Sequence, residues 1–495
     1  MTIAAVPARP VPVPTKLAYG FGSIAYGIKD NGFATFLLVY YNQVIGLSAG
    51  AVGLAIMIAL VLDAFIDPII GQLSDQTRTK WGRRHPWLYA SALPIAVFWL
   101  LLWHPPEASE TVQFFYLIGT AILVRSAVSC YEVPSIAIAP ELSTDYHERT
   151  SVLGYRYMFG WAGGLTMLAL AYVVFLSPSA DYPVGLLNKD GYQQYALVGS
   201  VAMFVAIIVS AASTHKRIAA LTHPPRERVS VLNMLRAMAA TLRNRSFAIL
   251  MATGFFAYTL QGIVFALTTY LYGYIWGFPQ SYFLAFSLSL MVGVLIAYTL
   301  ARLLTRRFGK PGGAARAVIL STAIGSTPYW LRLADLFPAN DSPAMLPLLM
   351  VFVIASTAFS VAAAITGASM MADVVEDSQS HTGRRSEGLF FAGAFFMQKC
   401  TSGIGIFATG IILSIAAFPD AAVPGQVAEA TLDRLALTYA SCVVLFGIVT
   451  AFLYTRFPFG QAEHDARLDA LAAIPEGGLA AAPGAAAAIA EKRAE

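Results

Sequence analysis

Apolar stretches of about 20 residues recur along almost the whole chain of 495 residues, and they constrain its fold more than any other feature. A helix of that length crosses the hydrocarbon core of a bilayer, which is about 30 Å thick. Only 12% of the residues are charged, about half the fraction in an average soluble protein. We count twelve stretches, centred near residues 31, 60, 95, 126, 163, 204, 258, 292, 325, 358, 401 and 445. The sequence therefore predicts an all-α membrane protein with twelve transmembrane helices.

Lysine and arginine residues are distributed unequally between the loops, and this predicts the orientation. If the N-terminus is cytoplasmic, the outer loops hold only Lys189, Arg332 and Arg434. Because positive charges accumulate on the cytoplasmic side, we expect a multi-pass protein of the cell inner membrane with both termini inside. The N-terminus is rich in proline and lacks the apolar region of a signal peptide, so the first helix should insert directly. The net charge of +4 follows from this loop pattern, and we expect no nucleic-acid partner.

A long basic and polar stretch divides the chain near its middle. Residues 213–245 are predicted to form a cytoplasmic linker between two six-helix bundles, 16–212 and 246–457. Residues 1–15 are predicted to be a short cytoplasmic tail. Residues 458–495 are rich in alanine, glycine and proline, which predicts a disordered tail.

Two acids lie inside the second apolar stretch. Asp63 and Asp67 are four residues apart, so both project from one helix face about one turn from each other. Two such carboxylates cannot both stay ionised unless a cation lies between them or one binds a proton, which predicts a cation site. Replacing either by Asn is expected to leave the protein inserted. The alternative is that the helix ends before Asp63 and both acids lie among headgroups, although the apolar run continues to Ser74.

Three segments resemble a known transporter family. The two halves, the long central loop and the glycine, acid and double-arginine loop after the second helix resemble the major facilitator superfamily. Residues 63–71, 78–87 and 372–391 are similar to the glycoside-pentoside-hexuronide cation symporters, the melibiose permease-like group. The match points span most of residues 16–455. The resemblance implies the major facilitator fold and symport of a sugar, glycoside or uronide with Na+ or H+ by alternating access.

The resemblance also implies roles around the acid pair. Ser129 would be a hydroxyl ligand beside Asp63 and Asp67, and the two acids would bind Na+ if sodium is the coupling ion. Lys399 would face the acids from the other half and couple the halves, or else form a fixed salt bridge. Arg125 has no counterpart in the family, but we expect it to neutralise one of the acids.

Other charged residues would contact the substrate. Asp30, Glu132 and Arg156 match family positions that bind sugar. Two alternatives stay open: Lys29 neutralises Asp30 locally, or Arg156 extends to the cytoplasmic headgroups. Ile136 replaces a tryptophan of melibiose permease, so a sugar would need another aromatic surface. The candidates for that surface are Tyr26, Tyr131 and Tyr258.

Departures from the family leave the ion and the substrate class open. Ile66 replaces an amide beside Asp67, which favours a proton over sodium. Family members in animals transport lysophospholipids, so an amphipathic substrate is the alternative to a sugar. A receptor or scaffold that transports nothing is a second alternative, but it gives no reason for buried charges. Because we find no nucleophile elbow, Walker loop or zinc motif, we expect neither an enzyme nor a cofactor beyond the coupling ion. We expect a monomer surrounded by membrane lipid.

Charged residues on the predicted cytoplasmic side form a second set. They are Asp75, Arg83, Arg84, Glu141 and Arg149 in the first half, and Asp373, Asp377, Arg384, Arg385 and Glu387 in the second. In a rocking transporter such pairs lock the inner face when the site opens outward, so we expect a cytoplasmic gate. The alternative is that the arginines only enforce topology, and for the double arginines we expect both roles.

Overall fold

The structure is a computed structural model that describes residues 11–142, 146–219, 236, 238–382 and 387–458. Within these ranges helices are the regular elements, apart from an isolated bridge between Thr79 and Gly82. Ten helices in the described part of the chain are long and apolar enough to cross a membrane. The prediction of an all-α membrane protein is therefore confirmed.

Two further spans bring these ten helices to the predicted twelve. The helix Gln280–Leu333 contains Gly309 with φ 70° and ψ 171°, a non-helical conformation, so it comprises two spans. The segment 13–44 forms the first span, but π-helical turns at Gly32–Phe36 and Tyr40–Val44 interrupt it, so none of its pieces is long enough alone.

We number the spans α1 to α12 in chain order. Their bounds are 13–44 for α1, Ala49–Gln76 for α2, His85–Leu102 for α3, Glu110–Leu142 for α4, Tyr146–Leu170 for α5, Lys189–Ala219 for α6, Arg245–Tyr270 for α7, the two parts of Gln280–Leu333 for α8 and α9, Met345–Thr382 for α10, Glu387–Ile415 for α11 and Glu429–Thr455 for α12. π-helical turns continue α5 through Phe175 and α7 through Ile275.

The first of two compact units contains Met1–Val231, Thr259–Ser287 and Lys399–Tyr439. Its largest fully buried side chains include aromatic rings on or directly after α1, α3 and α6, namely Phe36, Tyr40, Tyr41, Trp99, Trp103, Tyr192 and Tyr195. Trp103 and Tyr192 stack with centroids 5.7 Å apart. These rings fix α1 against α3 and α6, so the interrupted first span has a rigid frame.

The second compact unit contains Leu232–Tyr258, Leu288–Gln398 and Ala440–Glu495. Its core is an apolar cluster that includes Phe247, Met370, Val374, Phe390 and Tyr454. This unit holds α9 and the described part of α10, most of α8, and portions of α7, α11 and α12.

These compact units are not the two bundles that the sequence predicts. The first unit includes 259–287 and 399–439, which belong to the predicted second bundle. The bundle boundaries therefore stay a prediction about topology. Helix α6 continues past residue 212 to Ala219, so it contains the start of the predicted linker. About half of that linker lies outside the described residues, as do residues 1–10 and 459–495 of the two predicted tails.

Candidate functional site

Helix α2 carries both acids of the predicted cation site in its second half. It begins with Ser48, whose hydroxyl accepts a hydrogen bond from the backbone N–H of Ala51, and it runs unbroken through Pro68 to Gln76. The alternative in which the helix ends before Asp63 is therefore wrong. The Asp63 side chain is 2% exposed and that of Asp67 is 26% exposed, so the two acids have different surroundings.

Asp63 accepts hydrogen bonds at both of its oxygens. Arg125 donates to Oδ2 from Nε at 3.1 Å and from Nη2 at 2.7 Å. Lys399 Nζ lies 2.9 Å from the same oxygen, and Ser129 Oγ lies 2.8 Å from Oδ1. Arg125 therefore neutralises Asp63, which identifies the partner that the sequence left open.

Ser129 connects the two acids. Its Oγ is 2.8 Å from Asp63 Oδ1 and 2.6 Å from Asp67 Oδ1. A hydroxyl has one proton, so it donates to only one of these carboxylates. The other contact brings two electron-rich oxygens together without a proton between them, so a proton bound there would turn the repulsion into a hydrogen bond. The three side chains thus have the geometry of a site for one proton.

Lys399 completes the cluster from α11. Its Nζ lies 2.5 Å from Asp67 Oδ2 as well as 2.9 Å from Asp63 Oδ2. One turn further along α11, Gly403 packs so closely on α2 that an added Cβ would lie 3.1 Å from the Leu60 Cβ. This close approach brings the ammonium within reach of both acids. The Lys399 side chain is 22% exposed, so it is not completely enclosed by the protein.

The predicted substrate acid of α1 lies beside this cluster. Asp30 forms an ion pair with Lys29 at 2.5 Å, as the alternative interpretation proposed, yet the Asp30 side chain remains 50% exposed. Asp30 also interacts electrostatically with Arg125, and Lys29 does so with Asp63. The ion pair with Lys29 therefore leaves Asp30 accessible to a substrate. The charge of Asp30 also acts on the cation cluster through Arg125.

Arg156 is buried, and its guanidinium is only partly paired. Its Nη1 donates to Ser135 Oγ at 2.7 Å, whereas no described residue accepts a hydrogen bond from Nη2. This burial argues against the alternative in which Arg156 extends to the headgroups. Glu132 on α4 is half-buried and interacts electrostatically with both Arg156 and Lys399. Arg156 thus keeps a free donor near an acid.

The aromatic residues predicted as stacking surfaces for a sugar differ in how exposed their rings are. Tyr131 is fully buried and its hydroxyl donates to Ser210 at 3.2 Å, so its ring offers no face for stacking in this structure. Tyr26 is half-buried on α1 and packs on Gly160. Ile136, one turn after Glu132, is 45% exposed. Tyr258 belongs to the second compact unit.

Four of the predicted gate residues form one network in the first unit. Arg83 pairs with Glu141, and Arg84 lies 2.9 Å from both Asp75 and Glu141. Arg84 also donates to the carbonyl of Ala137. The loop that precedes the two arginines turns at Gly82, whose φ of 86° favours glycine.

The remaining gate residues are described only in part. Asp373 pairs with Lys310 at 2.6 Å in the second unit, and the sequence did not predict this partner. Arg384 and Arg385 lie outside the described residues, as do the side chains of Arg149, Asp377 and Glu387. The function of the whole set as a gate stays a prediction.

A buried amide pair at the end of α1 was missed from the sequence. Asn42 donates to the Leu47 carbonyl at 2.8 Å and to Asp420 at 2.6 Å, and it accepts from Tyr270 at 2.8 Å. Gln43 accepts from the backbone N–H of Ala422 at 2.6 Å and from Tyr274 at 3.2 Å. The pair thus joins α1 to α7 and to the segment between α11 and α12. Two adjacent amides at the end of an apolar stretch were the available signal.

Comparisons with known proteins identify the family of the chain. A family model described as MFS/sugar transport protein matches residues 18–461. The chain is 27% identical to the putative glycoside/cation symporter YagG of Escherichia coli (strain K12), over 81% of this chain and 82% of that protein. It is 25% identical to the sodium-dependent lysophosphatidylcholine symporter 1 of Gallus gallus, over 89% of this chain and 86% of that protein.

A solved structure supports the predicted fold. The D-xylose-proton symporter matches with a TM-score of 0.62 at 15% identity, over 90% of this chain and 98% of that one. At this identity the likeness concerns the fold alone. Together with the family match, it confirms the prediction of a multi-pass membrane protein with the major facilitator fold.

Proposed function

Because the chain belongs to the MFS/sugar transport protein family, we propose that it is a symporter that couples a monovalent cation gradient to uptake of a sugar, glycoside or uronide by alternating access. The family match confirms the resemblance to the glycoside-pentoside-hexuronide cation symporters and makes the chain a transporter, not an enzyme. The protein acts in the cell inner membrane with both termini in the cytoplasm, as the loop charges indicate.

One observation carries the proposal: Asp63 and Asp67 share the hydroxyl of Ser129 and the ammonium of Lys399. Lys399 makes these contacts from the second half of the sequence, so loading the acid pair with a cation displaces a contact between α2 and α11. Binding of the ion at this cluster is thereby coupled to the packing of the two halves. A purely structural salt bridge would need neither the second acid nor the shared hydroxyl.

The substrate binds next to this cluster. Arg156 has a buried Nη2 donor without an acceptor among the described residues, which a substrate oxygen would satisfy once the site opens, while Glu132 and the exposed Asp30 offer carboxylate acceptors. Charged donors and acceptors of this kind form strong, oriented hydrogen bonds to a polyol or a carboxylated sugar. Asp30 interacts with Arg125 of the cation cluster, so substrate and cation influence each other through charge.

Alternating access uses polar contacts at both ends of the first unit. We assign the network of Asp75, Arg83, Arg84 and Glu141 to the cytoplasmic end, and the pair Asn42 and Gln43 to the outer end. A potential of 100 mV contributes about 2.3 kcal/mol per charge and a tenfold cation gradient about 1.4 kcal/mol. Together they support accumulation of a neutral substrate by about a few hundred-fold, so one cation suffices.

An amphipathic substrate is the second candidate. The Gallus gallus relative is a lysophosphatidylcholine symporter by name, and the exposed Ile136 stands where melibiose permease has a tryptophan. The acyl chain has no need of Arg156 and Glu132, although the charged headgroup of a lysophospholipid could use them. We rank the sugar first because a polyol or a carboxylated sugar uses such donors and acceptors over its whole length.

A ligand screen tests the proposal. The purified protein is heated with methyl glycosides, pentosides, glucuronides or lysophosphatidylcholine, each with NaCl or choline chloride. A true substrate stabilises the folded state by about 2.7 kcal/mol at 100 times its Kd. A rise in Tm with a sugar class, followed by gradient-driven uptake of that sugar in proteoliposomes, supports the proposal. A rise with lysophosphatidylcholine alone contradicts the sugar assignment.

A further inference from the structure

Oδ2 of Asp63 is fully engaged by groups of the protein itself. Each carboxylate oxygen offers about two lone-pair directions. Oδ2 faces Nε and Nη2 of Arg125 and Nζ of Lys399 at 2.7 to 3.1 Å, and Oγ of Ser129 lies 2.8 Å from Oδ1. A sodium ion bound by both oxygens of Asp63 would have to displace one of these donors.

The two cations of the cluster differ in how easily they can move away. Lys399 has a flexible stem, lies between two acids and is 22% exposed. Arg125 is 5% exposed, and its guanidinium lies 5.2 Å from the centre of the Phe33 ring. It stays protonated at every accessible pH, so moving it away from Asp63 would leave a buried charge unpaired.

Charge counting leads to the same result. Asp63 and Asp67 carry two negative charges, and Arg125 and Lys399 carry two positive charges, so the cluster is neutral without any added ion. When Lys399 leaves, one negative charge remains, because Arg125 stays. Two carboxylates free to surround a sodium ion are therefore never present together.

We infer that Arg125 is a tethered substitute for a sodium ion at Asp63, so this protein does not bind Na+ at its acid pair and does not require Na+ for transport. The inference rests on the proposed function of the cluster as a cation site. It makes Arg125 a determinant of ion specificity that acts by occupying Asp63. A guanidinium with a merely structural function would not change which ions bind.

Direct binding of radioactive sodium to the purified protein tests the inference. The variants are wild type, Arg125→Met and, as a matched control, Arg156→Met, which also removes a buried arginine but leaves Asp63 paired. Wild type and Arg156→Met should show no saturable binding above a choline control. Arg125→Met should gain saturable Na+ binding, with a Kd at least about tenfold below the highest Na+ concentration at which the other two proteins show none, because it frees Asp63 for the ion.

Two outcomes overturn the inference. Saturable binding of Na+ to wild type would do so, and this arm needs no variant that folds. Absence of binding to a folded Arg125→Met would also do so, because Arg125 would then not be the group that excludes sodium. Neither result depends on a substrate. The proposed function fails separately if no sugar is taken up under any ion gradient.

Discussion

The two acids should differ sharply in what their removal does to stability. Asp63→Asn leaves Arg125, whose side chain is 5% exposed, without the carboxylate that accepts its Nε and Nη2 hydrogen bonds. Removing one partner of a buried ion pair costs about 3–5 kcal/mol. The sequence-based expectation that either neutral variant remains inserted without harm therefore needs revision for Asp63.

Asp67→Asn provides the matched comparison. Asp67 is 26% exposed, and Lys399 keeps Asp63 as a partner after the substitution. The loss should stay below about 1 kcal/mol, as for partly exposed ion pairs. In the double variant Asp63→Asn/Arg125→Met both charges are removed, so no buried guanidinium is left unpaired. We expect this double variant to recover most of the stability that Asp63→Asn loses.

Thermal unfolding of the detergent-purified variants, followed by size-exclusion chromatography, measures these differences. We expect Asp63→Asn to lower Tm, Asp67→Asn to leave Tm near that of wild type, and the double variant to restore it. Equal losses for the two single variants would refute the reasoning, and so would a double variant that is no more stable than Asp63→Asn.

The remaining predictions concern the substrate, the outer end and the ion. Ile136→Trp should add a stacking surface and strengthen galactoside binding measured by calorimetry, whereas Glu132→Gln should weaken it; unchanged sugar affinity in Glu132→Gln would argue for the amphipathic substrate. Gln43→Leu leaves the N–H of Ala422 without its acceptor, at about 1–3 kcal/mol for a buried group, whereas the hydroxyl of Tyr274 keeps the Ala422 carbonyl as its acceptor. The substitution should accelerate the reaction of an impermeant thiol reagent with a cysteine introduced at residue 422. An unchanged rate would contradict the assignment of Asn42 and Gln43 to closing the outer end. Uptake should persist without Na+ from acidic to mildly alkaline pH, and a strict Na+ requirement at every pH would refute proton coupling.

Most members of the cation cluster could be predicted from the sequence, because the two acids lie at regular spacing on one helix face. Asp63 and Asp67 are one turn apart, and the family resemblance added Ser129 and Lys399. The partner of Arg125 was not predictable, because a position on α4 fixes the helix face but not the helix that this face contacts. The structure supplied it through the packing of α4 on α2.

Residues whose partners are distant in the chain were harder to predict. Asn42 bonds to Tyr270 and Asp420, which are 228 and 378 residues away. Uncharged amides in an apolar stretch give no pattern that identifies such partners. Tyr131 was a candidate for stacking because aromatic rings often bind sugars, but its burial beside Ser210 depends on tertiary packing that the sequence does not display.

Gradient-driven uptake by Asp67→Asn in proteoliposomes tests the central claim most directly. Asp67 shares Ser129 and Lys399 with Asp63, and its substitution leaves the substrate groups Asp30, Glu132 and Arg156 unchanged. We therefore predict that the variant exchanges substrate across the membrane but no longer accumulates it against a gradient. Accumulation equal to that of wild type would contradict a cation site at the acid pair.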